Sequence, residues 1–134
     1  MNKLFPGITL LAFLLASCAT SSQRSTSRLD LIKKRNELVC GVSGKISGFS
    51  FLEIDGKYKG FDIDICESFA AGILGASKNI KFRPLTAAER FTAIKTGEID
   101  ILSRNTTLTL TRDSSGGNGL SFAPVVFYDG QGLM

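Results

Sequence analysis

Residues 104–112 are the part of this sequence best suited to hold a charged ligand. The stretch contains two arginine side chains and four threonine hydroxyls within nine residues, and few carboxylates lie nearby to neutralise the positive charge. An arginine can hold a carboxylate through two parallel charge-assisted hydrogen bonds. The stretch therefore predicts a site for an anionic group. The alternative is that the threonines only favour an extended strand and that the arginines are solvated.

The composition excludes several kinds of catalytic and metal site. The chain has no histidine, which rules out histidine acid–base chemistry and zinc sites with histidine ligands. Asp62 and Asp64 could form a metal site or a catalytic pair, but two aspartates at the start of a helix are better explained by capping and by the helix dipole. We therefore expect no metal and no cofactor. The net charge of +4 is spread along the chain, which argues against nucleic acid as a partner.

The hydrophobic pattern predicts the elements that position these residues. A continuous apolar run at 38–42 is typical of a strand buried on both faces, and further strands are expected at 80–82 and 99–103. A short helix beginning near Ser27, a hairpin around Asp55 and Gly56, a helix from Asp62 or Asp64 to Leu74 and a helix over 87–96 are also expected. Strands that alternate with crossover helices indicate an α/β fold with a mostly parallel sheet.

Polar residues cluster where the predicted parallel strands end. They occupy 43–50, 85–86 and 104–112, directly after the three strands. In open α/β sheets, ligands bind outside the carboxyl ends of the strands. We therefore expect these three segments to meet at one ligand site.

The N-terminal residues predict an export signal with a lipid anchor. Lys3 precedes an apolar run at 4–15 that is too short to span a bilayer, and residues 15–18 read Leu-Ala-Ser-Cys, which resembles the lipobox of bacterial lipoproteins. We expect a lipoprotein signal peptide at 1–17, a flexible tether at 18–27 with acyl chains on Cys18, and a folded domain at 28–134. The alternative is ordinary signal-peptidase cleavage after Ala19.

Several motifs along the chain resemble one known family. They are Leu-Val-Cys-Gly-Val at 38–42, Gly-Phe-Asp-Ile-Asp-Ile at 60–65, Ala-Ile-Lys-Thr-Gly-Glu-Ile-Asp at 93–100, Ser-Arg-Asn-Thr-Thr at 103–107 and Tyr-Asp-Gly-Gln-Gly at 128–132. In this order they resemble the first lobe of the periplasmic amino-acid-binding proteins of ABC transporters, solute-binding protein family 3. The last two are most similar to the general L-amino-acid-binding branch.

The resemblance implies a role for individual residues. Arg112 and Thr107, five positions apart, match the pair that clamps the α-carboxylate of the ligand in the family. Asn105 matches the position whose backbone carbonyl receives the α-ammonium group. Ser43 and Ile46 match first-loop positions that contact the ligand, and Ala87 stands where relatives can stack an aromatic ring. Departures from the family pattern at these positions imply a roomy pocket and broad amino-acid binding.

The resemblance also implies partners and a location. The expected partners are L-amino acids, the permease subunits of an ABC transporter and, through the lipid anchor, a bacterial membrane facing the periplasm. No enzyme activity is expected. The alternatives are a periplasmic dehydratase on the same fold and a remnant without function, because fold alone does not decide function.

Cys40 and Cys66 are the thiols that remain after Cys18. Export to an oxidising compartment makes a disulfide between them plausible, and two buried free thiols are the alternative.

The family has a second lobe, which we expect to be absent from these 134 residues. An incomplete sequence, an early stop and a separately encoded lobe are three possible reasons. Because an open lobe supplies half the walls of the site, we expect millimolar binding by this chain alone. We also expect uncovered apolar surface at 125–128.

Overall fold

The computed structural model describes residues 26–114, 119–130 and 132. Along the chain, the elements are helix α1 (Arg28–Arg35), strands β1 (Leu38–Val42), β2 (Lys45–Ile46), β3 (Ser50–Leu52) and β4 (Tyr58–Lys59), helix α2 (Phe61–Leu74), strand β5 (Ile80–Pro84), helix α3 (Arg90–Thr96) and strand β6 (Ile101–Leu102). The predicted signal peptide and lipidated Cys18 lie outside the described residues.

The strands form a parallel sheet and a small antiparallel sheet. In the parallel sheet β1 lies between β5 and β6, with Cys40 opposite Phe82 on one side and Ile101 on the other. Strands β2, β3 and β4 pair in antiparallel order around the turn at Asp55 and Gly56. The predicted α/β fold with a mostly parallel sheet is confirmed.

Strand β1 is buried on both faces, as its apolar sequence predicts. Leu38, Cys40 and Val42 point towards α1 and α2, where they pack with side chains such as Ile63 and Ala70. The opposite face packs against the cluster of Leu85, Ala93 and Ile99, which includes α3. A Cβ atom on Gly41 would lie 2.6 Å from the Cδ1 atom of Ile99. The side chains that cover this face therefore approach β1 closely at this glycine.

A buried carboxylate and a disulfide link the helices to the sheet. Asp100 accepts a hydrogen bond from the backbone nitrogen of Val39 at 2.8 Å and pairs with Arg35, which ties α1 to β1. Cys40 of β1 and Cys66 of α2 are joined by a disulfide, and both are fully buried.

The helix starts agree only in part with the sequence-based predictions. At α1, Ser27 and Asp30 form the predicted capping box. The prediction that Asp62 or Asp64 caps α2 is wrong. The N-cap is Gly60, no side chain caps this end, and both aspartates lie inside the first turn. Gly60 takes the N-cap because its positive φ of 123° turns the chain from the hairpin into the helix.

Helix α3 is shorter than the predicted 87–96. The capping-box contacts between Thr86 and Glu89 do form, with the Glu89 nitrogen 3.3 Å from Thr86 Oγ1. They close a turn that precedes the helix. The first α-helical hydrogen bond in this segment runs from the Ala93 nitrogen to the Glu89 carbonyl at 2.9 Å, so the helix begins at Arg90.

Some apolar surface remains uncovered near the C-terminus. Val125, Val126 and Tyr128 are half or more exposed, and Phe127 packs with one side against Phe49. Across residues 26–114, 119–130 and 132, no helix is both long enough and apolar enough to cross a membrane.

Candidate ligand-binding site

The three polar segments meet at the carboxyl edge of the parallel sheet. The Leu85 nitrogen donates to the Val42 carbonyl at 2.9 Å, and the Ser103 nitrogen donates to the Gly41 carbonyl at 2.9 Å. These bonds place the segments after β5 and β6 on either side of the end of β1. We call residues 43–50, 85–91 and 103–112 together the carboxyl-edge site.

Arg112 and Thr107, the predicted clamp pair, contact each other in this site. The Nη1 atom of Arg112 donates to the backbone carbonyl of Thr107 at 2.8 Å. The guanidinium carbon of Arg112 also lies 5.5 Å from the centre of the Phe91 ring, within the range of a cation–π interaction. The Arg112 side chain is therefore held from two sides at the carboxyl edge, with Thr107 acting through its backbone.

The other predicted ligand contacts also lie at the carboxyl edge. Ser43 is buried and directly follows β1, Ile46 is half-buried in β2, and Ala87 is exposed in the turn before α3. The side chain of Asn105 accepts a hydrogen bond from Arg104 Nε at 3.0 Å. The predicted ligand contact of Asn105 is its backbone carbonyl, so this side-chain bond leaves that prediction untested.

Arg90 and Phe91 are site residues that the sequence-based predictions missed. The guanidinium carbon of Arg90 lies 4.8 Å from the centre of the Phe91 ring, the same ring that Arg112 contacts. Burial lowers the pKa of the Arg90 guanidinium, and the positive charges of Arg104 and Arg112 lower this pKa further. Arg90 starts a helix next to a segment already predicted to lie at the site, and that position is the signal that could have identified it.

Arg104 links the segments after β5 and β6. Its Nη1 atom donates to the backbone carbonyl of Leu85 at 2.7 Å. Three arginines, Arg90, Arg104 and Arg112, thus gather at the carboxyl edge. In the described ranges, no group of three or more Cys, Asp or Glu side chains is placed to hold a metal ion.

A buried hydrogen-bond network shapes the loop after β1. The backbone nitrogens of Ser43 and Gly44 donate to Ser50 Oγ at 3.2 and 3.3 Å, and Ser50 Oγ donates to Asp62 Oδ2 at 3.3 Å. Burial raises the pKa of Asp62, whereas the Ser50 hydrogen bond and the charge of Arg104 oppose that rise. Asp62, considered as a cap from the sequence, instead supports the loop that carries Ser43.

The raised pKa of Asp62 predicts a pH-dependent contribution to stability. A carboxyl group whose pKa is higher in the folded than in the unfolded state stabilises the fold while protonated, and this contribution is lost as the pH rises through the folded-state pKa. The wild type should therefore lose stability relative to Asp62→Asn as the pH rises from about 3 to about 7. Urea unfolding of both proteins across this range measures the difference.

Asp64→Asn is the matched control for removing a charge from the first turn of α2, because Asp64 is exposed in the same turn. Subtracting the stability change caused by Asp64→Asn from that caused by Asp62→Asn removes the general contribution of an acidic residue near the helix start. A wild type that gains stability relative to Asp62→Asn with rising pH would contradict a raised pKa of Asp62 in the folded state.

Comparisons with known proteins agree with this fold. The chain is 42% identical over 114 residues to the general L-amino acid-binding periplasmic protein AapJ of Rhizobium johnstonii, covering 85% of this chain and 33% of AapJ. A solved structure of an ABC transporter periplasmic binding protein from Brucella ovis with glutathione bound is 45% identical, with a TM-score of 0.72. It covers 76% of this chain, which corresponds to 31% of the Brucella protein.

Two further solved structures share part of this fold. The arginine-bound form of domain 1 from TmArgBP is 28% identical, with a TM-score of 0.57, over 63% of this chain and 64% of that domain. An ancestral cyclohexadienyl dehydratase is 34% identical, with a TM-score of 0.58, over 65% of this chain and 35% of the dehydratase.

The family model matches nearly the whole described domain. It is the model for bacterial extracellular solute-binding proteins, family 3, and it matches residues 38–132. The chain spans between 33% and 38% of the length of the curated relatives to which it is about 42% identical. With the parallel sheet and its polar carboxyl edge, this match means that the chain belongs to family 3 of the bacterial extracellular solute-binding proteins.

Proposed function

We propose that this chain provides an amino-acid-binding surface of a periplasmic ABC-transporter receptor and that Arg112 binds the α-carboxylate of the ligand. One observation carries the proposal: the Arg112 guanidinium is held at the carboxyl edge by the Thr107 carbonyl and the Phe91 ring. A guanidinium held in place loses little rotational freedom when it binds a carboxylate, so more of the interaction energy appears as affinity.

The remaining polar groups are suited to the rest of an amino acid. In the proposed pose, the α-ammonium group donates to the backbone carbonyl of Asn105, and Ser43 contacts the ligand from the loop after β1. Ile46 and Ala87 border the space for the ligand side chain. The buried Ser50 and Asp62 do not touch the ligand but keep the Ser43 loop in shape.

The hydrogen bonds of the acidic side chains favour binding without reaction over a dehydratase activity. A dehydratase needs a general acid within reach of its substrate. Glu89 is hydrogen-bonded to Thr86, Asp62 is buried against Ser50, and Asp113 accepts from the Phe122 nitrogen at 2.9 Å. Each of these acidic groups therefore already has a structural partner.

We further propose that these 134 residues bind amino acids weakly by themselves. Binding pockets usually enclose about 70–90% of a small ligand, whereas the carboxyl edge offers one open face. A dissociation constant of about 1 mM corresponds to only about 4 kcal/mol of binding free energy. The arginine-bound domain 1 from TmArgBP supports the idea that one domain of this fold can hold an amino acid.

Arg112→Gln tests the proposed clamp. Loss of a charge-assisted, two-bond contact should weaken binding of every L-amino acid by about 10- to 100-fold, because each presents the same α-carboxylate. Titrations followed by backbone amide chemical shifts suit millimolar affinities. The matched control is Lys78→Gln, which removes one positive charge from an exposed residue before β5, at the opposite end of the sheet.

Two results would refute the clamp. One is an Arg112→Gln protein that binds as tightly as the Lys78→Gln control. The other is a loss confined to a single amino acid, because a carboxylate contact must affect all of them. If the wild type shows no shifts at the carboxyl edge with any amino acid, the proposed function itself fails.

We also propose that Cys18 carries the lipid anchor. Cys18→Ser should lose the added acyl mass and, once its signal peptide is cleaved after Ala19, should move from the membrane fraction to the soluble periplasmic fraction, because removal of the acyl chains removes the hydrophobic attachment. Fractionation of both proteins measures the membrane attachment, and the intact mass of the wild-type protein measures the added acyl chains. A wild type that begins at Thr20 without added acyl mass would instead favour cleavage after Ala19.

A further inference from the structure

The small antiparallel sheet turns one face towards solvent, and this face is rich in lysine. Strand pairing places Lys45 of β2 directly opposite Phe51 of β3, and Phe51 directly opposite Lys59 of β4. Residues directly opposite each other in an antiparallel pair have their side chains on the same face of the sheet. A row of Lys45, Phe51 and Lys59 therefore crosses the sheet, and all three residues are exposed.

The same face continues towards the turn of the hairpin. The Glu53 nitrogen donates to the Lys57 carbonyl at 2.9 Å, which extends the pairing beyond the ends of β3 and β4. Glu53 lies two residues after Phe51, and Lys57 two residues before Lys59, so these side chains share the face of the row. We call Lys45, Phe51, Glu53, Lys57 and Lys59 together the lysine face.

The opposite face of this sheet is occupied by the protein itself. Ser50 is fully buried, and its hydroxyl accepts hydrogen bonds from the backbone nitrogens of Ser43 and Gly44. Tyr58 packs beside Phe82, with the two ring centres 5.8 Å apart. One face of the small sheet is therefore committed to the core, while the lysine face stays exposed.

The lysine face has an excess of positive charge and an exposed aromatic ring. It contains three lysines and one glutamate. The ion pairs among the described residues all use arginines, and none uses a lysine of this face. Phe51, between Lys45 and Lys59, is 43% exposed. A ring between two cations is complementary to a surface that presents carboxylates on either side of an apolar side chain.

A protein segment fits the lysine face better than an anionic membrane does. Ile54 at the tip of the hairpin is fully exposed, but Glu53 and Asp55 lie on either side of it. Anionic lipids would repel these two carboxylates, and insertion of Ile54 into the membrane would also strip their hydration. A protein segment can place its carboxylates on the lysines alone and leave the tip of the hairpin in water.

We propose that the lysine face binds an acidic segment of a partner protein, whose carboxylates pair with Lys45 and Lys59 and whose apolar side chain packs on Phe51. Lys45 and Lys59 are two strand spacings apart, roughly 10 Å, and carboxylates two residues apart in an extended segment are about 7 Å apart. The flexible lysine side chains span this difference. The face lies on the opposite side of β3 from Ser50, so the inference does not depend on the proposed amino-acid site.

Two synthetic peptides that differ only in charge provide the test. The acidic peptide is acetyl-Glu-Leu-Glu-Leu-Glu-amide, and the neutral peptide has glutamine in place of each glutamate. We would titrate the 134-residue chain with each peptide and follow backbone amide shifts. The acidic peptide should shift the amides of β2, β3 and β4 and bind at least about 5-fold more tightly than the neutral peptide, as expected for several exposed charge contacts.

Variants of the lysine face separate its charges from its ring. Lys45→Gln combined with Lys59→Gln should remove most of the preference for the acidic peptide. Phe51→Thr should weaken both peptides by about 3- to 5-fold, because it removes apolar surface but keeps a residue that favours strands. Lys33→Gln combined with Lys34→Gln is the matched control, since it removes two exposed lysines from α1 and should leave both affinities unchanged. Thermal unfolding of each variant establishes that it is folded.

Several results would overturn the proposal. Equal affinity for the two peptides, or a preference that survives the loss of Lys45 and Lys59, excludes a charge contact at this face. An equal loss of affinity in the α1 control would indicate a general effect of net charge. Unchanged affinities in Phe51→Thr would exclude packing on the ring.

A membrane as the partner is tested with vesicles of phosphatidylglycerol and phosphatidylcholine. The protein carries Cys18→Ser in this experiment, so that no acyl chain attaches it to the vesicles. Co-sedimentation that is lost with Lys45→Gln and Lys59→Gln, without binding of the acidic peptide, would overturn the protein segment in favour of a lipid surface. Binding of the acidic peptide without co-sedimentation supports the proposal.

Discussion

Gly60→Ala is expected to destabilise the domain by about 3–5 kcal/mol, because a strained backbone angle and a steric clash occur at the same atom. Gly60 has φ 123° and ψ 177°, a combination that residues with a Cβ atom almost never adopt. A Cβ atom at this position would lie 2.5 Å from the carbonyl oxygen of Phe49. Urea unfolding measured against the wild type gives the change in free energy.

The Phe49 backbone cannot easily move aside to relieve this clash. Its carbonyl accepts from the Asp62 nitrogen at 2.9 Å, and the Gly48 carbonyl accepts from the Phe61 nitrogen at 3.0 Å. These bonds satisfy the first nitrogens of α2, which have no partner inside the helix. A shift of residues 48–49 would therefore relieve the clash only by breaking the start of the helix.

Gly72→Ala in the same helix is the matched control. A Cβ atom at Gly72 meets nothing within 4 Å, and alanine is favoured over glycine inside helices by about 0.5–1 kcal/mol. The same chemical change should therefore stabilise the domain at Gly72 and destabilise it at Gly60. A Gly60→Ala protein as stable as the wild type would contradict the backbone geometry at the start of α2.

Loss of the Cys40–Cys66 disulfide is expected to cost about 3–4 kcal/mol of stability, on the model in which the crosslink restricts the unfolded chain. The two residues are 26 apart in sequence and connect the central strand to α2 across the core. Reduction releases that loop in the unfolded state without removing any heavy atom from the core. Urea unfolding of the oxidised and reduced protein measures the difference.

A Cys18→Ser background keeps this experiment specific, because only Cys40 and Cys66 then remain. Counting of alkylated thiols under denaturing conditions establishes the oxidised and reduced states. A double Cys40→Ala, Cys66→Ala variant should be no more stable than the reduced protein, since it loses packing as well as the crosslink. Equal stability of the oxidised and reduced proteins would mean that the crosslink adds nothing.

The sequence allowed the layers of the fold to be predicted because each depends on local periodicity. The apolar run of β1 could only be buried on both faces, and the sheet places it between β5 and β6. The capping box of Ser27 and Asp30 also formed as predicted, because its contacts span one turn. Interactions within one helical turn can be predicted without knowing which distant residues pack nearby.

Predictions that depended on distant neighbours were less successful. Asp62 has the sequence signature of a helix cap, but its carboxylate lies in the core beside Ser50, twelve residues earlier. Its hydrogen bond depends on how the hairpin folds back over α2, which no local pattern reveals. The same holds for Asp100, whose partners Arg35 and Val39 are more than sixty residues away.

For the site, the residue types and the predicted strand ends were enough to predict that Arg112, Thr107 and Ser43 lie at one edge of the sheet. The carboxyl ends of neighbouring parallel strands lie at the same edge of a sheet, so the parallel topology alone brings these segments together. The sequence could not indicate that Arg90 and Arg112 would contact the same Phe91 ring, because that arrangement depends on how α3 is rotated about its axis. Helix rotation is set by packing of Ala93 against Leu85 and Ile99.

The sequence by itself therefore determined the order of strands and helices, the family motifs and the edge where a ligand would bind. These features follow from hydrophobic periodicity and from the chemistry of single residues. Only the tertiary structure decided which charges meet, because the effect of a guanidinium or carboxylate depends on distance and burial. Asp62 became a core residue and Arg90 a member of the arginine cluster for that reason.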